Sequence, residues 1–270
     1  MKVFLILLVG AAATLILVPM LALMFLQERL IFFPTRLAPD HQFRFSGRFE
    51  EKWIDVDGIR VSSLLFRVPQ SKGVILYFHG NAGALDDWGG LARDLSDRLG
   101  WDVWIADYPG YGKSEGAVSS EAQLHTLATN LWAAAKKEYP SEKIVIFGRS
   151  LGSGLATKLA VENDPAALVL ETPYSSVHAL AGERFAWLPI SLLLRYSFRS
   201  DVWLPTVKSP ALLIHGTRDE VIPYSHSEKL MSVGKADAEL VTIEGGHHND
   251  LGSYPIYWER LAAWLDRVTR

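Results

Sequence analysis

The strongest chemical signal in the sequence is a serine enclosed by two glycines, in the pentapeptide GRSLG at residues 148–152. An apolar, strand-like stretch (143–147) precedes this G-x-S-x-G pattern, and a helix-like stretch (151–162) follows it. In such a context the tight turn exposes the hydroxyl at the carboxyl end of a sheet, and the new helix directs free N–H groups at developing negative charge. The pattern predicts Ser150 as a nucleophile, although a glycine-rich turn with an incidental serine has the same spacing.

A base and an acid for this serine follow two later strand-like stretches. A serine hydroxyl is a weak nucleophile until a base takes its proton and a third group orients that base. Asp219 follows the apolar stretch 211–214, and His248 follows the stretch 239–243. Because parallel strands bring their carboxyl ends to one edge of a sheet, we expect both side chains to lie near Ser150.

Neighbouring residues compete for both roles. Glu220 adjoins Asp219, and Glu171 follows an earlier strand-like stretch, so both are rival acids. His247 adjoins His248, and spacing alone does not distinguish the two imidazoles as the base. A histidine pair also occurs in metal sites, but no cluster of carboxylates at ligand spacing accompanies this pair, so we expect no bound metal.

Two backbone N–H groups are expected to meet the negative oxygen that forms when a serine attacks a carbonyl group. One is the N–H of Leu151, directly after the serine. The other is expected in the loop HGNAG (79–83), where Asn81 is the first candidate and Ala82 the second. His79 in the same loop is expected to pack the loop rather than to take part in the chemistry.

The elements that must position these residues alternate between strands and helices. Short apolar stretches alternate with helix-like stretches from residue 73 to residue 268, which predicts an α/β fold with a mostly parallel central sheet and helices on both faces. A hairpin (52–56 and 59–68) around the turn Asp57-Gly58 is expected to add an antiparallel edge. The stretch 171–210 shows no clear strand and is too long for an ordinary loop, so we interpret it as an inserted helical cap.

Composition excludes several other kinds of site. The 270 residues include no cysteine, which excludes disulfides, thiolate–zinc sites, iron–sulfur clusters and a cysteine nucleophile. The formal net charge is −3 and no dense run of Lys or Arg is present, so a nucleic-acid partner is not expected. Hydrophobic residues make up 49% of the chain and charged residues 21%, which favours a folded protein over disorder. No motif indicates a cofactor.

The amino-terminal residues predict a membrane helix. Residues 3–26 carry no charge, and as a helix they would span about 36 Å, against the roughly 30 Å of a hydrocarbon core. We interpret residues 1–28 as an uncleaved transmembrane signal anchor; a cleaved signal peptide and a buried helix are the alternatives. Lys2 before the run favours a cytoplasmic amino terminus, which would place residues 29–270 on the extracytoplasmic side.

Five motifs together resemble the α/β-hydrolase superfamily. In chain order they are HGNAG (79–83), DYPGYGKSEG (107–116), GRSLG (148–152), HGTRDEVIP (215–223) and GGHHND (245–250). With the apolar amino terminus, they are most similar to a branch of membrane-anchored serine hydrolases that includes depalmitoylases, lysophospholipases and bud-emergence-type proteins. In that branch the catalytic histidine often directly precedes Asn-Asp, so the resemblance favours His248 over His247.

These observations predict a serine hydrolase that cleaves esters or thioesters of apolar acyl groups through an acyl-enzyme on Ser150. A serine peptidase with the same triad and a catalytically silent, membrane-anchored binding protein are the alternatives. The apolar stretch 185–194 of the cap has two interpretations. It could bind apolar groups, as the lining of an acyl-chain pocket or as a surface that faces the bilayer, or it could simply pack onto the domain. The expected partners are a small-molecule acyl substrate and, through the amino-terminal helix, a lipid bilayer.

Overall fold

The computed structural model describes residues 2–269, except for the side chains of residues 2, 3, 5–13 and 16. The strands, numbered in chain order, are β1 (Phe33–Pro34), β2 (Arg48–Val56), β3 (Ile59–Arg67), β4 (Val74–Phe78), β5 (Ala82–Gly83), β6 (Asp102–Ala106), β7 (Ile144–Arg149), β8 (Ala167–Glu171), β9 (Ala211–Gly216) and β10 (Ala238–Ile243). The α-helices are α1 (Lys2–Ile31), α2 (Leu85–Leu99), α3 (Glu121–Ala135), α4 (Leu151–Glu162), α5 (Val177–Arg184), α6 (Ile190–Leu193), α7 (Ser200–Trp203), α8 (Ser225–Ser232) and α9 (Pro255–Val268).

The central sheet has eight strands in the order β10-β9-β8-β7-β4-β6-β3-β2. The six strands from β10 to β6 are parallel, and β3 pairs antiparallel with both β6 and β2. The mostly parallel sheet and the antiparallel hairpin predicted from the sequence are therefore confirmed. All the strands that precede the candidate residues run in one direction, so their carboxyl ends share one edge.

Helices cover both faces of the sheet. Every residue of β4 is buried, because apolar side chains point alternately into the two layers and both are covered. Leu124 of α3 and Leu155 of α4 lie in the core on one face, and Leu95 of α2 and Leu261 of α9 lie in the core on the other. This two-sided core fixes the strand ends on which the candidate residues lie.

The stretch between β8 and β9 contains the three short helices α5, α6 and α7 and, within these fully described residues, no strand. Leu188, Ile190 and Leu194 form a small buried cluster, against which Met20 and Leu23 of α1 also pack. Part of the apolar stretch 185–194 therefore packs inside the protein. Leu193 is buried as well, whereas Phe185, Trp187 and Leu192 are exposed.

The amino-terminal helix α1 contains Pro19 and ends at Ile31. Much of the run from which a transmembrane anchor is predicted, residues 3–26, lies outside the described side chains. Among the residues described in full, no helix combines the length and the apolar character needed to cross a membrane. The transmembrane segment is not confirmed and stays a prediction.

Gly152, in the first turn of α4, allows the helix to approach the end of β4 closely. A methyl group at this position would collide with the carbonyl oxygen of Phe78, and neither backbone can move without disturbing the sheet. We expect Gly152→Ala to destabilise the fold by about 3 kcal/mol or more. In Gly90→Ala, by contrast, the added methyl group on the outside of α2 meets nothing within 4 Å, and we expect stabilisation by about 0.5–1 kcal/mol. Urea unfolding of both variants measures the difference, and equal stabilities would contradict this account.

Candidate active site

Ser150 lies in the turn between β7 and α4 with backbone angles φ 51° and ψ −118°. Such a positive φ is uncommon for a residue with a side chain and costs conformational energy, so the surrounding structure must hold it. The N–H of Ser150 donates to the carbonyl oxygen of Glu171 at 2.9 Å, which ties the turn to the neighbouring strand β8. The tight turn predicted from the G-x-S-x-G pattern is therefore present, and its backbone is strained.

The structure brings Ser150, His248 and Asp219 together. Ser150 Oγ lies 3.1 Å from His248 Nε2, and His248 Nδ1 lies 2.7 Å from Asp219 Oδ2. Since a carboxylate only accepts hydrogen bonds, His248 Nδ1 carries the proton, and Nε2 is left to accept one from the serine hydroxyl. All three side chains are largely buried, which strengthens both hydrogen bonds relative to water.

Asp219 is held as a carboxylate by four donors. Its Oδ1 accepts from the N–H groups of Val221 and Ile222, each at 2.8 Å, and its Oδ2 accepts from His215 and His248. Burial by itself would raise the pKa of Asp219, but these hydrogen bonds outweigh it and hold the pKa well below its usual range. The group that orients the imidazole is therefore charged.

His215 is a second partner of Asp219 whose role the sequence analysis missed. Its Nε2 lies 3.1 Å from Asp219 Oδ2 and 2.9 Å from the carbonyl oxygen of Ile222, so Nε2 carries the proton and donates. Its Nδ1 is then the acceptor for the hydroxyl of Ser227 at 2.7 Å. The only signal in the sequence is the position of His215 at the end of a strand, four residues before the aspartate.

The rival candidates lie elsewhere. His247 is half exposed, and its Nδ1 contacts Glu220 Oε2 at 3.0 Å, so these two rivals pair with each other at the surface. Glu171 is buried, but it forms an ion pair with Arg149 at 3.2 Å and accepts from the hydroxyl of Tyr257 at 2.8 Å. Of the alternatives open at the sequence level, none contacts Ser150 Oγ.

Arg149 ties the histidine loop to the sheet, a role that sequence reasoning also missed. It is the variable residue before the serine of the G-x-S-x-G pattern. Its guanidinium donates to the carbonyl oxygen of His248 and to the side-chain oxygen of Asn249, both at 3.1 Å, and lies over the ring of Trp88. The same guanidinium forms an ion pair with Glu171. This buried cation therefore fixes the backbone of the loop that carries the imidazole.

The two residues expected to supply oxyanion donors, Leu151 and Asn81, belong to elements that lie next to the serine. Leu151 is the first residue of α4, so its N–H is one of the groups at the helix amino terminus that have no partner within the helix. The loop 79–83 is also close: a methyl group at Gly80 would be 3.8 Å from Ser150 Cβ. Asn81 follows Gly80 directly, whereas Ala82, the second candidate, pairs with Phe33 in the small sheet β1–β5.

His79 is fully buried beneath this loop. Its Nδ1 lies 2.7 Å from the carbonyl oxygen of Gly80, and its ring packs on Trp88 and Tyr108. Burial lowers the pKa of His79 to about 4, because a charged imidazole would lose its hydration. The ring is therefore neutral at neutral pH and packs the loop, in line with the structural role expected for it.

The arrangement contains groups suited to acyl transfer: a hydroxyl on a strained turn, an imidazole within hydrogen-bonding distance of it and a charged carboxylate behind the imidazole. The chain Ser150–His248–Asp219 joins three loops that are far apart in sequence. In sequence the three residues come in the order Ser150, Asp219 and His248, and this order at the carboxyl edge of the sheet is typical of a nucleophile-elbow site.

Comparison with known proteins identifies a matching family model and sequence relatives. Residues 73–201 match the family model described as the alpha/beta hydrolase fold. The chain is 35% identical to alpha/beta hydrolase domain-containing protein aho-3 of Caenorhabditis elegans over 212 residues, which are 77% of this chain and 62% of that protein. It is 31% identical to human alpha/beta hydrolase domain-containing protein 17B over 214 residues, which are 78% of this chain and 72% of the human protein.

Solved structures share the architecture at lower sequence identity. An esterase of Pyrococcus furiosus superposes with a TM-score of 0.70 at 19% identity, covering 89% of this chain and 98% of the esterase. A soluble variant of the monoglyceride lipase of Saccharomyces cerevisiae superposes with a TM-score of 0.62 at 18% identity, covering 86% of this chain and 99% of the lipase. With relatives above 30% identity along most of its length, the chain belongs to the alpha/beta hydrolase family.

Proposed function

We propose that the protein is a serine hydrolase that cleaves carboxylic esters or thioesters of apolar acyl groups through an acyl-enzyme on Ser150. The observation that carries this proposal is the continuous chain from Ser150 Oγ to His248 Nε2 (3.1 Å) and from His248 Nδ1 to Asp219 Oδ2 (2.7 Å). In this order the carboxylate can orient the imidazole, and the imidazole can take the proton of the serine hydroxyl.

In the first half of the reaction, Ser150 Oγ attacks the carbonyl carbon of the substrate while its proton passes to His248 Nε2. The carbonyl oxygen becomes negative and accepts hydrogen bonds from the N–H groups of Leu151 and Asn81. Asp219 stabilises the imidazolium that has formed. When the intermediate collapses, the bond to the alcohol or thiol breaks, the leaving group takes the proton from His248, and the acyl group stays on the serine.

In the second half, a water molecule attacks the acyl-enzyme. Its proton passes to His248 Nε2, and its oxygen bonds to the acyl carbon. Collapse of this second intermediate breaks the bond to Ser150, which recovers the proton from the imidazole. The carboxylic acid is released, and the enzyme returns to its starting state.

Two observations support an apolar acyl group. The guanidinium of Arg184, at the end of cap helix α5, donates to the carbonyl oxygen of Val221 at 2.7 Å, so the cap borders the loop that carries Asp219. The next residues of the cap include the exposed side chains of Phe185 and Trp187. The structural neighbours include an esterase and a monoglyceride lipase. Membrane anchoring through the amino-terminal run remains part of the proposal on sequence grounds alone.

Replacement of the nucleophile tests the reaction. We expect Ser150→Ala to lower kcat for p-nitrophenyl acyl esters by about 10⁴-fold or more, because no other group forms the acyl-enzyme. Labelling by a fluorophosphonate probe should be lost as well. The control is Ser232→Ala at the exposed end of α8, whose hydroxyl donates only to the Lys229 carbonyl oxygen. A Ser150→Ala variant with wild-type activity would refute the mechanism.

The two adjacent histidines form a matched pair. His248→Ala removes the base and should lower kcat by about 10⁴-fold or more, whereas His247→Ala removes only a surface contact with Glu220 and should leave kcat within about threefold. Steady-state kinetics on one ester measures both. A larger loss in His247→Ala than in His248→Ala would reverse the assignment.

The substrate class is tested by a series of acyl esters and thioesters from two to twelve carbons, with aminoacyl p-nitroanilides as the amide arm. Each buried methylene contributes about 0.8 kcal/mol, so kcat/KM should rise up to about fourfold per carbon until the apolar site is filled. Faster cleavage of the anilides would favour a peptidase. Folded protein that cleaves neither class and resists the fluorophosphonate would be a binding protein.

A further inference from the structure

The chain that leaves α1 runs along the loop that carries Asn81. The N–H of Phe33 donates to the carbonyl oxygen of Asn81 at 2.9 Å, and the N–H of Thr35 donates to that of Gly83 at 2.9 Å. These bonds form the parallel pair β1–β5, which is separate from the central sheet. Residues 27–35, here called the amino-terminal strap, are therefore bonded directly to one side of the candidate site.

The strap also holds the side chain of Asn81. Its Nδ2 donates to the carbonyl oxygen of Ile31, the last residue of α1, at 3.0 Å. The hydroxyl of Tyr111 donates to the Asn81 carbonyl oxygen at 2.7 Å, beside the bond from Phe33. The side chain and the carbonyl group of Asn81 are thus both fixed, and most of these bonds come from the strap.

The peptide group between Gly80 and Asn81 is fixed from its other side. His79 Nδ1 lies 2.7 Å from the Gly80 carbonyl oxygen, and a neutral imidazole placed there donates. In a planar trans peptide the C=O and N–H bonds point in opposite directions. The bond from His79 therefore directs the Asn81 N–H away from the buried ring, while the strap fixes the residue that carries this N–H.

The other end of the strap is bonded to the cap. Gln27 is fully buried, and its Oε1 accepts from the N–H of Arg195 at 2.7 Å. Glu28 accepts from the guanidinium of Arg195 at 2.6 Å and from the hydroxyl of Tyr196 at 3.1 Å. Phe32 packs edge-on against the ring of Tyr196. The strap is thus a continuous connection from the cap to the loop 79–83.

We infer that the amino-terminal strap is a positioning segment for the oxyanion hole, and that the Asn81 side chain is the positioning residue through which it acts. The bond from Nδ2 to Ile31 fixes the Asn81 backbone, so that its N–H meets the oxygen of the transition state. This inference rests on the proposed function, because it assigns that N–H to the oxyanion. The strap is then part of the catalytic apparatus as well as the link to the amino-terminal helix.

The inference is tested in the full chain with Asn81→Ala, which keeps the backbone N–H and removes only the side-chain bond. Because complete loss of an oxyanion donor costs about 10²–10³ in kcat, we expect misplacement to lower kcat by about 10–10²-fold with little change in KM. The matched control is Asn130→Ala, since Asn130 Nδ2 also donates to a distant carbonyl oxygen, that of Asp55 at 2.7 Å. The control should keep wild-type kcat.

A second variant acts from the strap itself and keeps the test decisive if Asn81→Ala does not fold. Phe33→Pro deletes the N–H that donates to the Asn81 carbonyl oxygen, and Phe33→Ala keeps it. We expect kcat of the proline variant to be at least about tenfold below that of the alanine variant. Folding of each protein is checked by circular dichroism before the kinetics.

Three outcomes separate the possibilities. A fall in kcat with unchanged KM in each of the variants Asn81→Ala and Phe33→Pro that folds supports the inference. Wild-type kcat in either folded variant, or a change confined to KM, overturns it while the proposed function stands. If the wild-type protein cleaves no ester, or Ser150→Ala does not reduce cleavage, the proposed function fails first, and the strap inference fails with it.

Discussion

The rest of the site depends on the backbone turn at Ser150. With φ at 51° and ψ at −118°, the turn holds a residue with a side chain in a sparsely allowed conformation, so it must be stabilised by its neighbours. The bond from its N–H to Glu171 and the contacts of Gly148 and Gly152 with surrounding backbone provide this. The close approach of Gly152 to the carbonyl oxygen of Phe78 also brings the start of α4, with its N–H groups, next to the end of β4.

Once the serine is fixed, the imidazole must reach it from a loop nearly 100 residues further along the chain. Two buried ionic arrangements determine where that loop lies. Asp219, kept charged by four donors, aligns the imidazole, and Arg149, paired with Glu171, holds the backbone of the loop. Both are shielded from water, so their geometry is rigid and removal of one partner would leave an unpaired buried charge.

Sequence patterns predicted those parts of the structure that short, continuous stretches of residues determine. The apolar strands, α4 at 151–162, Ser150 and Asp219 lie where periodicity and motif spacing indicated. Only the family resemblance favoured His248 over His247, and it is His248 that contacts Ser150 and Asp219. Long-range contacts were beyond such patterns. The two-residue strands β1 and β5 are too short to show periodicity, and nothing local links Arg149 to a carbonyl oxygen 99 positions away. His247 and His248 differ only in the direction of their side chains, which neighbours in space decide.

Long-range contacts also give the amino-terminal helix a role that its composition does not indicate. From its composition α1 is only an apolar helix that could tether a domain. Yet Gln27 and Glu28 bond to the cap, and Ile31 and the residues after it bond to the loop beside the serine. Since one short strap of main chain joins both, a shift of the cap relative to the sheet would pull on the loop at Asn81. The cap and the loop 79–83 are therefore coupled in position, even though 87 residues separate them in the sequence.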